Sequence, residues 1–213
     1  MAGDSRTSEI EARGSNETDK RLGQELAQAQ ARFAENPFSS ARRRDLIEIH
    51  KSIGKRYLKH GDKQAALAHY EEMLMHYEGL CRHHKSQCEI EHEICICQIE
   101  VGDLRRALGD EVGALVAYGE ALTICEKLVA SEPQNSCFQR ALVIAKWRTA
   151  ELDSPNNKRL LQNTHDHLLS LQGRGELKEE DIWMIDAIKE QLMANGPSCS
   201  VWQKVRSFFL PDA

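Results

Sequence analysis

A chain of 213 residues with 41% hydrophobic residues can bury a sizeable core, and with 6% aromatics that core rests mainly on Leu and Ala. Its 28 basic and 33 acidic residues give a net charge of −5, which argues against general phosphate-backbone binding, because that needs clustered basic charge. No apolar run nears the roughly 18–20 residues of a membrane span, the longest being Ala141 to Ala145, and Met1 to Lys20 is almost wholly polar, so a cytoplasmic protein is expected.

Residues 1–19 carry Gly, Ser, Thr and charge but little that is apolar, and are expected to be disordered. From Arg21 to Phe33 a helical stripe begins, with Leu22, Leu26, Ala29 and Phe33 on one face, and Asn36-Pro37 closes it. Beyond it the chain repeats itself with a shift of 48 residues: Gly54, Gly61, Asp62, Ala66, Tyr70 and Glu72 meet Gly102, Gly109, Asp110, Ala114, Tyr118 and Glu120. Doubling the shift aligns Pro37 with Pro133 and Leu46 with Leu142.

Each repeat unit reads as two helices. The first runs from about Arg43 to His60, with Leu46, Ile49, Ile53 and Tyr57 on a stripe. Gly54 inside that helix costs about 1 kcal/mol relative to alanine, which is tolerable if a neighbouring helix crosses too closely for a Cβ. Gly61 supplies the left-handed residue that ends the helix, and Asp62 caps the next, in which Tyr70 fills the space between the two. A second unit spans about Cys88 to Val129, and a third opens with a helix from Cys137 to Leu152.

On these residues the chain resembles the tetratricopeptide repeat family, whose signature is a large residue, Leu-Gly, an aromatic, Ala, an aromatic and Ala within 34 residues. His50, Ile53-Gly54, Tyr57, Ala66, Tyr70 and Met73 stand at that spacing, and Val101-Gly102, Ala114, Tyr118 and Ala121 repeat it, with Gln98 and Arg105 departing from it. The longer unit is like that of an elongated bacterial-type variant. The resemblance covers about residues 34–150 and implies an all-α fold: a short right-handed superhelical solenoid of helix-turn-helix repeats with C-terminal capping helices. Residues 20–153 would form the repeat domain and 156–195 the caps, with helices at Asn157 to Leu171 and about Lys178 to Ala194. After the Gly196-Pro197 hinge, 196–213 would carry a short basic amphipathic helix bearing Trp202, Val205, Phe208 and Phe209.

Catalytic motifs are poor. His92-Glu93 begins a zincin-like HExxH, but Ile96 takes the place of the second histidine, and Gly54-Lys55 lacks the rest of a phosphate loop. No enzyme, cofactor or small-molecule substrate is expected. The family resemblance instead implies a concave groove that binds a protein or peptide partner, through Lys51, Lys55 and Lys59 in the first unit. Ile99, Asp103 and Arg106 in the second and Trp147 in the third would complete it. The lysines would steer an acidic segment, with Ile99 and Trp147 as an apolar floor. The asparagines of that family's carboxylate clamp are not in place here.

Two further readings remain open. Seven cysteines, an odd number at helical rather than framework spacing, predict free thiols instead of disulfides. Cys81, His84, Cys88 and His92 could nevertheless converge on a metal, making a metal- or thiol-responsive regulator; otherwise Cys88 and Cys95 are ordinary core positions. Alternatively the tail helix acts as a peripheral membrane or effector element, or folds back as a lid.

Overall fold

The computed structural model describes residues 4–81, 88–152 and 157–193, with 4–16 described by backbone alone. Its regular structure is entirely helical among these residues: α1 (Asp4–Glu35), α2 (Ser40–Lys59), α3 (Lys63–Cys81), α4 (Cys88–Ala107), α5 (Glu111–Ser131), α6 (Ser136–Leu152), α7 (Asn157–Gly173) and α8 (Trp183–Met193), with a 3₁₀ turn at Glu179–Asp181. The chain divides into two compact units, Met1–Leu80 and Cys81–Ala213. The Gly196-Pro197 hinge and the tail helix lie outside the described residues.

In the first unit α1 packs on α2. It does so with the stripe expected from its spacing: Ala29 is buried, Leu22, Leu26 and Phe33 are half-buried, and the Phe33 ring lies 4.8 Å beneath the Arg43 guanidinium. The helix starts at Asp4, well ahead of Arg21.

The α2–α3 and α4–α5 hairpins share one local design, each within its own unit. Gly61 (φ +80°) and Gly109 (φ +88°) take the left-handed conformation. Behind them Asp62 N–H donates to Tyr57 O at 2.9 Å, and Asp110 N–H to Arg105 O at 2.9 Å, closing the two helix ends alike. The aspartates then cap the following helices, accepting from Ala65 N at 3.0 Å and Gly113 N at 2.9 Å. A Cβ on Gly54 would stand 3.0 Å from the Tyr70 ring, and one on Gly102 would run into the Tyr118 ring. The glycines are there because a tyrosine from the partner helix occupies the place of their side chain. In the third hairpin Ala150 replaces the glycine and α7 carries no tyrosine.

The Tyr118 ring cannot retreat, because it is fully buried and its hydroxyl donates to Asp103 at 2.6 Å. Gly102→Ala is therefore expected to destabilise the protein by about 1–3 kcal/mol, although alanine is the better helix former by about 1 kcal/mol. Gly119→Ala, where nothing lies within 4 Å, is expected to raise stability by up to about 1 kcal/mol. Urea midpoints of the two variants should move in opposite directions; a shared direction contradicts the ring-for-Cβ account.

The second unit stacks α4, α5, α6, α7 and α8 in sequence. Its core joins Cys95 and Ile99 of α4, Ala121 of α5, Leu142 and Ile144 of α6, Leu161 and Leu168 of α7, and Met184 and Ile188 of α8. The expected free thiols are corrected at one pair: Cys95 and Cys125 form a disulfide, with Cα atoms 6.5 Å apart. Local spacing conceals this pair, because 30 residues separate them and only the antiparallel hairpin brings α4 and α5 face to face. The last helix starts later than Lys178, at Trp183. Before it, at the end of the 3₁₀ turn, Asp181 is buried and ion-paired to Arg140 Nε at 3.2 Å.

Candidate functional site

Of the groove residues expected in the second and third repeats, Ile99 and Trp147 are buried, while Asp103 and Arg106 are partly exposed. Ile99 and Trp147 are each 2% exposed. Trp147 Nε1 donates to Gln191 Oε1 at 2.6 Å, and its ring packs 6.1 Å from Trp183. Gln191 Nε2 donates to Glu151 Oε1 at 2.9 Å, while the carboxylate's other oxygen accepts from Arg106 at 2.7 Å. Arg148 lies 4.0 Å from that same oxygen and donates to Asp103 at 2.8 Å, and Asp103 accepts from Tyr118. One polar chain thus runs from α5 through α4 and α6 to α8. Burial holds Glu151 above the usual carboxylate range despite both guanidiniums, and burial followed by Asp103 raises Tyr118. Over Trp147 the expected apolar floor is closed by α8, whose polar Gln191 gave no sign in the sequence of the tryptophan it serves, and Ile99 lies within the core of the second unit.

The lysines differ. Lys51 is half-buried, Lys55 and Lys59 are exposed, and among the described residues none of the three is ion-paired. Their four-residue spacing sets them in one row on α2. A second exposed feature is the apolar stripe Val112, Leu115 and Val116 on α5.

The cysteine–histidine run does not gather among the described residues. Cys81 and Cys88 are half-buried, and His92 packs its ring 5.3 Å from Phe138. His84 lies outside the described residues.

Instead the first unit assembles a histidine cluster that sequence reasoning missed. His50 of α2 is 3% exposed and His76 of α3 is 5% exposed. The nearest Nδ1 atoms of His50 and His69 are 2.9 Å apart, and the His50 and His76 rings are 5.9 Å apart. Ligand atoms of His50, Glu72 and His76 all lie within 4.8 Å of one another. Phe33 closes over His76 edge-on at 5.5 Å, and Tyr57 stacks on His69 at 5.6 Å. His69 also lines a cleft of about 400 Å³ with Leu22, Leu26, Ile53 and Tyr57, at whose rim Arg56 is paired to Asp19. The available signal was the His69, Glu72, His76 spacing, which sets all three on one side of α3. His50 read as the large residue of a repeat signature instead.

Burial pushes His50 down to about 4, with His69 and His76 adding to the effect. Burial also lowers His69, against Glu72, and lowers His76, with Arg43 adding to the effect. Each of these imidazoles is therefore harder to protonate in the folded protein than in the unfolded chain. A histidine whose folded pKa is depressed contributes stability above its ordinary value that is lost as pH falls through the folded one. In chelator-treated buffer the urea midpoint is therefore expected to fall from near pH 6.5 to about pH 4, where His50 itself charges. His50→Gln should flatten that slope, and a wild-type midpoint constant across the window contradicts the assignment.

Comparison of the chain with protein-family models, with curated proteins and with solved structures finds no match. No helix among the described residues is long and apolar enough to cross a membrane.

Proposed function

We propose that this protein is a non-enzymatic helical-repeat module that binds an acidic segment of a protein partner along the α2 lysine row. The 48-residue repeat and its shared hairpin design support a tetratricopeptide-like reading, with the right-handed solenoid order that the resemblance implies. The observation that carries the binding proposal is a contrast in commitment. Asp103, Arg106 and Trp147 are engaged by their own unit, whereas Lys51, Lys55 and Lys59 present one sign of charge at every turn with no ion pair among the described residues. Such a row recruits carboxylates by long-range attraction that salt screens.

The test is fluorescence anisotropy with two peptides of equal length, one alternating Glu with Leu and one alternating Lys with Leu. The full chain is expected to bind the acidic peptide in a salt-sensitive manner, and joint substitution of Lys51, Lys55 and Lys59 by Glu should weaken it at least about tenfold. Equal binding of both peptides, or unchanged affinity in the reversed variant, overturns the proposal.

A further inference from the structure

We infer that the α2–α3 hairpin holds a divalent transition-metal ion of zinc's class on His50, Glu72 and His76, independently of the lysine row. Imidazole nitrogen and carboxylate oxygen are ligands zinc prefers, bound at about 2.0–2.2 Å. Three such atoms within 4.8 Å of one another need only side-chain adjustment to close on one ion. His76 Nδ1 is buried without a hydrogen-bond partner, an orphaned lone pair or N–H within the cluster. The contact between His50 and His69 at Nδ1 fixes the orientation of the His50 ring, as outer-shell partners do around metal ligands. Glu72 is exposed and His69 faces the cleft, so an ion has an approach from solvent and a coordination position left for water.

The second repeat supplies an internal comparison. With the 48-residue shift, His50, His69, Glu72 and His76 become Gln98, Ala117, Glu120 and Ile124. Gln98 Nε2 donates to Glu120 at 2.5 Å, so this register brings the α2-type and α3-type positions together in the other hairpin too. There the pair is a simple hydrogen bond. In the first repeat the same framework carries three imidazoles around the glutamate, and two of them are almost fully buried. Apolar residues could fill the same space without the desolvation cost that a buried imidazole carries.

Titration of the tag-free full chain with zinc chloride, followed by calorimetry and thermal unfolding, tests the site. One zinc per chain that raises the melting temperature is expected, with affinity at least about tenfold weaker in both Glu72→Gln and His76→Gln. Glu72 is exposed, so its variant separates loss of a ligand from loss of the fold. Cobalt substitution should give a d–d spectrum without a thiolate charge-transfer band. Absence of binding, affinity unchanged in Glu72→Gln, or a thiolate band abolished by Cys81→Ser with Cys88→Ser overturns the inference.

Discussion

Truncating Trp147 to alanine is expected to destabilise the second unit by about 3–5 kcal/mol, the cost of emptying a buried aromatic site. The indole is 2% exposed, packs 6.1 Å from Trp183, and directs its N–H to Gln191. Removing it opens a cavity between α6 and α8 and strips Gln191 Oε1 of its donor. A residue that reads as the anchor of a peptide groove would behave otherwise: its loss would cost binding and leave folding nearly untouched. Urea unfolding followed by far-ultraviolet dichroism separates the two. A midpoint within error of wild type would return Trp147 to the surface and sink the buried assignment.

Arg148→Ala is expected to cost about 1–3 kcal/mol, because it removes a buried cation that hydrogen-bonds Asp103 and stands beside Glu151. The Arg148 side chain is 4% exposed and that of Glu151 2%, while Asp103, which accepts from Arg148, is 38% exposed. Without it, Asp103 loses its arginine and Glu151, which burial already holds above its usual range, keeps Arg106 alone as a cationic partner. A carboxyl whose folded pKa is raised contributes stability that is present below its unfolded value and lost as pH rises through the folded one. The deficit of Arg148→Ala should accordingly be smaller in mildly acidic than in mildly alkaline buffer, and adding Glu151→Gln should recover part of it. Denaturation at the two pH values checks this; a deficit independent of pH contradicts the network.

The parts of the fold legible in the sequence are those where one residue type answers a local geometric demand. Gly61 and Gly109 had to supply left-handed turns, Asp62 and Asp110 had to cap, and Gly54 required a close neighbour that proved to be Tyr70. What could not be read are relations across helices. Cys95 and Cys125 meet only when a hairpin folds, and nothing in the spacing of Cys88, Cys95 and Cys97 reveals it. Trp147 occupies a position the resemblance assigns to a groove, yet α8 returns to cover it with Gln191. The histidine cluster escaped for the same reason, since His50 sits on α2 and its partners lie 19 to 26 residues further on α3. The lysine row is different again: a spacing of four on one helix is a local property, and it stands on α2 as the sequence indicates.

The central claim, that an acidic partner segment docks on the α2 lysines, is tested most directly by photo-crosslinking the Glu–Leu peptide to the full chain and mapping the adducts by mass spectrometry. Adducts concentrated at residues 48–62 and lost in high salt are the predicted result. Adducts that gather on the apolar Val112–Val116 stripe of α5 and persist in salt would contradict it.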